Sequence, residues 1–135
     1  MKKLILDAEV ERMDDVIDFI NAALEEHDVS MKTIMQIDIA VEELFVNIAH
    51  YAYHPEIGQA TIEVDVEGEP PCAVIRFIDK GKPYDPLGKE DPDVTLGVED
   101  REIGGLGIYM VKKSMDEVSY AYEDGQNKLT IRKRL

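Results

Sequence analysis

A strictly alternating segment near the middle of the chain constrains the fold more than any other feature of the sequence. In residues 61–67, apolar Ile and Val side chains alternate with Thr, Glu and Asp, which is the pattern of a strand buried on one face. Glu69-Pro70-Pro71 then predicts a turn, so residues 73–79 should return as an antiparallel strand. Because only one face of such a sheet is apolar, a second layer of structure has to cover it.

Helical patterns before this strand pair supply the second layer. Residues 9–27 carry apolar side chains at helical spacing, and Ser30 is the expected N-cap of a second helix that ends near residue 53. The other predicted elements are strands at 2–6, 116–122 and 128–134, the last two joined about Asp124-Gly125, and a helix at 107–115. This order predicts an α+β fold and one domain over residues 1–135, with helices on one face of a mainly antiparallel sheet.

Charge and cysteine content exclude several classes of protein. The chain has 135 residues, enough for one domain with a substantial core, and a formal net charge of −14. Nucleic acids and anionic membranes should repel such a chain, whereas a basic protein partner is electrostatically favoured. Cys72 is the single cysteine, so the sequence offers neither a disulfide framework nor a cysteine metal site. No apolar run approaches the roughly 20 residues of a membrane span, and we expect a cytoplasmic protein.

A carboxylate and an amide share one face of the second predicted helix. Glu43 and Asn47 lie four residues apart, and at about 100° per residue they centre roughly 130° from the apolar face of that helix. The carboxylate can accept a proton, and the amide oxygen can ligate a hard cation such as Mg²⁺. Glu42 is an alternative base, but only Glu43 has the spacing that places it with Asn47. Alone, such a pair is usually no more than a solvated helix surface.

Two glycine-containing motifs follow on the same chain. The first places Asp79 at the end of an apolar strand, a costly position for a charge without a partner, and Gly81 allows a tight turn after it. The second opens the third predicted helix, where backbone N–H groups can hold phosphate. No Walker A sequence occurs, which argues against a P-loop mechanism. The two motifs are Asp79-Lys-Gly81-Lys-Pro83-Tyr84-Asp85-Pro86 and Gly104-Gly105-Leu106-Gly107-Ile108.

With these motifs in this order, the chain resembles a known superfamily from about residue 4 to residue 133. It is similar to the gyrase, heat-shock chaperone, histidine kinase and mismatch-repair ATPases of the Bergerat fold, and most like the stand-alone anti-sigma-factor serine/threonine kinases of bacteria. Their N-box pattern E-x-x-x-N-x-x-x-H-A-Y occurs here as Glu43-Leu-Phe-Val-Asn47-Ile-Ala-His-Tyr51-Ala-Tyr53. Two departures are Tyr51 in place of His, and a last hairpin in which Gly125 and Thr130 are separated rather than adjacent.

The resemblance implies a Mg-ATP-dependent kinase that phosphorylates a small antagonist protein on Ser or Thr and alternately holds a sigma factor. It also implies a homodimer. In this interpretation Glu43 is the catalytic base, Asn47 binds Mg²⁺, and Asp79 accepts a hydrogen bond from the adenine amino group. The residues implied to contact the nucleotide are Asn47, Asp79, Gly81, Pro83, Tyr84, Gly104, Gly105, Leu106, Gly107 and Ile108.

Other functions remain open on the sequence alone. One is a non-catalytic regulator that binds ATP to set its affinity for a partner, although retention of Glu43 argues against it. Another is the stand-alone ATPase half of a histidine kinase, although the chain carries no separate dimerisation helix with a phosphoacceptor His. Residues 80–103 form a long polar loop, and we expect it to act as a lid over the site.

Overall fold

The structure, a computed structural model, describes residues 1–53, 56–88 and 105–135. Gly104 and most of the predicted lid at 80–103 lie outside the described residues.

In the described residues, five strands form one antiparallel sheet, as the alternating segments predict. The strands are β1 (Lys2–Asp7), β2 (Gln59–Glu67), β3 (Cys72–Asp79), β4 (Glu117–Glu123) and β5 (Gln126–Arg134). The spatial order is β1-β2-β3-β5-β4, so the two hairpins β2–β3 and β4–β5 meet where β3 pairs with β5. Asp124 and Gly125, with φ of 54° and 72°, form the tight turn predicted between the last two strands.

Among the described residues, three α-helices accompany the sheet: α1 (Met13–Leu24), α2 (Met31–Asn47) and α3 (Gly105–Ser114). Ser30 caps α2 as predicted, because its side chain accepts a hydrogen bond from the Thr33 N–H at 3.2 Å. A wider π-helical turn, Ile48–Ala52, continues α2 to the predicted end of the helix.

The first helix is shorter than the predicted span of 9–27. It begins with a 3₁₀ turn at Val10–Arg12, and its regular part ends at Leu24. Residues 25–28 are Glu, Glu, His and Asp, all of them exposed, so no apolar side chain anchors a further turn to the core. Acidic residues also interact unfavourably with the negative end of the helix dipole.

The helices cover one face of the sheet and enclose the core there. The largest fully buried side chains come from both layers: Phe45, Ile20, Leu24, Ile37, Val16 and Val41 from α1 and α2, Val111 from α3, and Phe77, Ile62, Ile75, Ile131 and Val64 from the sheet. The opposite sheet face is polar, and there Arg76 contacts Glu63 at 3.1 Å and Thr130 at 3.3 Å. The α+β two-layer prediction is therefore confirmed. In the described ranges, no helix has the length and apolar character needed to cross a membrane.

Candidate functional site

A cleft opens between the C-terminal end of α2 and the neighbouring ends of β3 and β5. Small-molecule sites are typically clefts in which a few polar groups converge on an apolar lining. Asn47, Asp79 and Asn127 are among its polar side chains. The remaining lining is Leu44, Ile48, Ala52, Phe77, Lys82, Tyr84, Pro86, Tyr120 and Leu129.

Asp79 is only 6% exposed at the end of β3. Its Oδ1 accepts hydrogen bonds from the Gly81 N–H at 2.9 Å and from Asn127 Nδ2 at 2.9 Å. Burial raises the pKa of the Asp79 carboxyl above its ordinary value, and these two hydrogen bonds lower it by a smaller amount. Both hydrogen bonds that the described residues donate to this carboxylate end on Oδ1, so Oδ2 is the atom suited to a ligand in the cleft.

Asn127 is a residue of the candidate site that the sequence analysis missed. It is 6% exposed, and β5 pairs it with Asp79 of β3. Besides Asp79 Oδ1, its Nδ2 donates to the carbonyl of Lys82 at 2.9 Å and approaches that of Gly81 at 3.4 Å. Its Oδ1 accepts from the Tyr84 N–H at 3.2 Å and from the Tyr120 hydroxyl. The side-chain amide is thus fixed in one orientation and ties the first glycine motif to the last strand.

One signal in the sequence could have identified Asn127. It occupies the same face of β5 as Leu129 and Ile131, which are buried, so a polar side chain in that row needs a polar partner. Thr130, whose separation from Gly125 departs from the family pattern, lies on the opposite face of β5. Thr130 hydrogen-bonds Arg76 on the open face of the sheet and does not line the cleft.

The end of the N-box segment holds the first glycine motif in place. The Ala52 carbonyl accepts the Lys82 N–H at 3.1 Å. The Tyr53 hydroxyl accepts the Lys80 N–H at 2.7 Å and donates to the Gln59 carbonyl at 2.6 Å. A Cβ added at Gly81 would overlap the backbone of Ala52, so this close approach requires glycine. The Ala-Tyr of the N box and the glycine after Asp79 therefore belong to one structural unit.

Glu43 lies one helical turn before Asn47 and contacts α3 instead of lining the cleft. A Cβ added at Gly107 would overlap the Glu43 carboxylate, which places that carboxylate against the first turn of α3. Glu43 is half-buried, and burial raises the pKa of its carboxyl above the ordinary value. Glu42, the alternative base, is exposed. The structure thus places Asn47 and Asp79 in the lining of one cleft, whereas Glu43 lies at the contact between α2 and α3.

The other predicted site residues lie in different environments. Tyr84 lines the cleft, and its ring lies 6.1 Å from that of Tyr51, the residue that replaces the family's His. Pro83 is exposed beside them, whereas Ile108 is buried in the core. Gly105 and Leu106 begin α3, so their backbone forms the helix N-terminus.

Comparisons with known proteins agree with this architecture. A family described as the histidine kinase-like ATPase domain matches residues 6–133. The serine/threonine-protein kinase BtrW of Bordetella bronchiseptica is 27% identical over 93 residues, which cover 69% of this chain and 65% of BtrW. The serine-protein kinase RsbW of Listeria monocytogenes is 29% identical over 101 residues, covering 71% and 63%. The chain therefore spans slightly less than two thirds of the length of these curated relatives.

A solved structure has the same fold. It contains the RsbU and RsbW domains of Rv1364c from Mycobacterium tuberculosis, and it matches all of this chain and 33% of that one with a TM-score of 0.65 at 16% identity. Because the family match covers nearly the whole sequence, the chain belongs to the histidine kinase-like ATPase family. Its curated relatives are named as serine or serine/threonine protein kinases.

Proposed function

We propose that the chain is a Mg-ATP-dependent serine/threonine protein kinase of the anti-sigma-factor type. The observation that carries the proposal is the buried Asp79, which Gly81 and Asn127 hold through Oδ1 in a cleft that Asn47 also lines. No cation of the described residues pairs with this carboxylate, so its second oxygen, Oδ2, needs a hydrogen-bond donor. The exocyclic amino group of adenine is such a donor, whereas guanine presents an acceptor at the same position. The cleft should therefore select ATP over GTP.

The remaining polar groups suit the phosphates and the metal ion. Asn47 offers an amide oxygen to Mg²⁺, which usually keeps few protein ligands and completes its shell with phosphate oxygens and water. The N–H groups at the start of α3 carry the partial positive charge of a helix N-terminus and suit phosphate. Bound Mg²⁺ would neutralise charge on the phosphates during transfer.

Glu43 is the proposed general base. Its pKa is raised by burial, which brings its basicity closer to the working pH and makes it a stronger proton acceptor than an exposed Glu. It would accept the proton of the attacking Ser or Thr hydroxyl while Asn47 and Asp79 hold the nucleotide. The Glu43 carboxylate lies against Gly107, so the proposed base is next to the helix whose N-terminus would bind phosphate.

The proposed substrate is a small antagonist protein, and a sigma factor is the proposed second partner. The names of BtrW and RsbW support a serine or threonine acceptor. The net charge of −14 favours a basic partner, as a DNA-binding protein would be. A homodimer and a cytoplasmic location belong to the same proposal.

The decisive experiment compares Glu43→Gln with Asn47→Ala. Glu43→Gln should leave Mg-ATP affinity nearly intact and slow phosphate transfer by a factor of about 10² to 10⁴, because only the proton acceptor is lost. Asn47→Ala should weaken both, because the metal contributes to binding and to transfer. Calorimetry gives the affinity, and transfer of labelled phosphate to protein acceptors in an extract gives the rate.

Circular dichroism controls for folding in both variants. Transfer by Glu43→Gln at the wild-type rate would mean that Glu43 is not the base, and Glu42→Gln would be the next variant to test. Mg-ATP binding without transfer by the wild-type protein would instead favour the non-catalytic regulator.

A further inference from the structure

An exposed apolar row lies along α2 on the side away from the core. Met31, Met35 and Ile39 are 73%, 56% and 56% exposed and follow one another at four-residue intervals. At about 100° per residue, the buried Ile37 and Leu44 lie roughly 160° and 180° from Met35 around the helix. The row is therefore separate from the apolar face of α2 that packs on the sheet. Three large apolar side chains in register form a contiguous patch, which typically marks an interaction surface.

This row leads directly to the proposed base. Continuing the four-residue spacing from Ile39 gives Glu43 and then Asn47. With a rise of about 1.5 Å per residue, Met35 lies roughly 12 Å and Met31 roughly 18 Å from Glu43 along the helix axis. A polypeptide that covers the row therefore ends beside the carboxylate that the proposed function assigns to the acceptor hydroxyl.

The charges beside the row define the chemistry of what it binds. Asp38 and Glu42 lie within roughly 60° of Met35 around the helix. Burial and the neighbouring Glu42 raise the pKa of Asp38, and a hydrogen bond from Asn21 of α1 opposes this. Lys32 is the one basic residue of α2. A cationic group placed between Asp38 and Glu42 would relieve their mutual repulsion.

We propose that the row formed by Met31, Met35 and Ile39 is the docking surface for an amphipathic helix of the phosphoacceptor protein, with apolar side chains on the row and Lys or Arg beside Asp38 and Glu42. This inference rests on the proposed kinase function for its orientation toward Glu43. Helix docking of this kind uses apolar anchors spaced three or four residues apart, which matches the spacing of the row.

The same charges disfavour other occupants. Two copies of this chain packed through the row would bring Asp38 and Glu42 of one against those of the other, and like-charge contacts at an interface are costly. Nucleic acid and anionic lipid would meet the same carboxylates with their phosphates.

A fluorescent peptide of about 14 residues, built from Leu and Lys at amphipathic spacing, provides the probe. Fluorescence anisotropy would compare it with a peptide in which every Lys is Glu, and with a scrambled Leu and Lys peptide. The protein would be the full chain, its double variant Met35→Gln/Ile39→Gln, and the control Ile5→Thr, which changes an apolar side chain that is also exposed, on β1. Gln is a good helix former, so α2 should persist in the double variant, as circular dichroism would show.

The proposal expects the wild type to prefer the ordered Leu and Lys peptide over both others. The double variant should bind it at least about tenfold more weakly, since two anchors are lost, while Ile5→Thr should not change its affinity. Equal binding by wild type and double variant, failure of the wild type to bind, or preference for the Glu peptide would each overturn the proposal. So would sedimentation showing that the double variant converts a dimer into a monomer, because the row would then bind a second copy.

Calorimetry with Mg-ATP on the same samples keeps the two proposals apart. A double variant with weaker peptide binding and unchanged Mg-ATP affinity supports the docking surface. If the wild-type protein does not bind Mg-ATP, the result would instead contradict the proposed kinase function.

Discussion

Asp79 and Asn127 act as a pair in which one side chain fixes the other. Asn127 donates to Oδ1 of Asp79 and to the carbonyl of Lys82, while accepting from Tyr84 and Tyr120. Such a saturated amide cannot rotate without breaking several hydrogen bonds at once. In the proposed site, Oδ1 of Asp79 therefore bonds to the protein itself, and Oδ2 would accept the hydrogen bond from the nucleotide.

Removing the Asn127 amide should therefore damage nucleotide selectivity more than catalysis. Asn127→Leu leaves Asp79 Oδ1 and the Lys82 carbonyl short of a donor, and each such loss costs about 1–3 kcal/mol. We expect a lower free energy of unfolding, weaker ATP binding and a smaller ratio of ATP to GTP affinity. Calorimetry with both nucleotides measures the ratio. Thr130→Val, on the opposite face of β5, is the matched control and should leave the ratio unchanged; an unchanged ratio in Asn127→Leu would remove Asn127 from the site.

The burial of Asp79 also predicts how its replacement changes stability with pH. Because the pKa of Asp79 is raised in the folded protein, the folded state retains a proton that the unfolded state has already released. This group therefore favours folding below its ordinary pKa, and that contribution is lost as the pH rises through the folded pKa. Asp79→Asn does not titrate, so the free energy of unfolding of this variant should rise relative to that of the wild type as the pH increases from about 4 toward neutral.

Urea denaturation of both proteins across this range measures the difference. A difference that stays constant with pH would show that the carboxyl of Asp79 titrates normally. Nucleotide must be omitted, because binding to the folded state would add its own stabilisation.

The contact between α2 and α3 couples the proposed base to the second glycine motif. The Glu43 carboxylate occupies the space where a side chain at residue 107 would begin, so Gly107 is required by a neighbouring side chain rather than by its own backbone dihedrals. At Gly81 the neighbour is instead the backbone of Ala52, which cannot move aside as readily. Gly107 thus leaves room for a neighbouring side chain, whereas Gly81 leaves room for a neighbouring backbone segment.

Alanine at these two positions should therefore have different effects. Gly107→Ala should leave the chain folded, because Ala favours a helix over Gly by about 1 kcal/mol and the Glu43 side chain can rotate away. Phosphate transfer should fall with the displaced carboxylate. Gly81→Ala should lower the free energy of unfolding by roughly 1–3 kcal/mol, because two backbone segments must separate. Thermal unfolding and labelled phosphate transfer separate the outcomes, and full transfer by Gly107→Ala would mean that the position of Glu43 is not critical.

Periodicity predicted most of the elements because each has a clear apolar face. The strands 61–67 and 73–79, the capped second helix and the turn at Asp124-Gly125 all follow from local chemistry. Helical spacing also predicted that Glu43 and Asn47 share one face of α2. The early end of α1 is also local in origin, because residues 25–28 lack an apolar side chain. The positions of Asn127 and Tyr53 depend instead on contacts between distant segments, and periodicity within one segment carries no information on such contacts.

The charge of the whole chain affects every partner that approaches it. A formal net charge of −14 over 135 residues produces a field that attracts cations and repels anions beyond the range of direct contacts. The proposed ligands differ in sign, since the protein partner is basic and ATP is anionic. Their association rates should therefore respond to salt in opposite directions.

Stopped-flow measurements on the wild-type chain would test this opposition. Raising the ionic strength from about 20 mM to about 200 mM shortens the Debye length from roughly 20 Å to below 10 Å and screens the field. Association with the Leu and Lys peptide should slow by about tenfold or more, because electrostatic steering is lost. Association with ATP free of Mg²⁺ should become faster, because the same screening weakens repulsion. An uncharged peptide of equal length is the control and should change little. If both charged ligands slow with salt, local basic groups at the cleft outweigh the net charge, and the preference for a basic partner would have to rest on Asp38 and Glu42 alone.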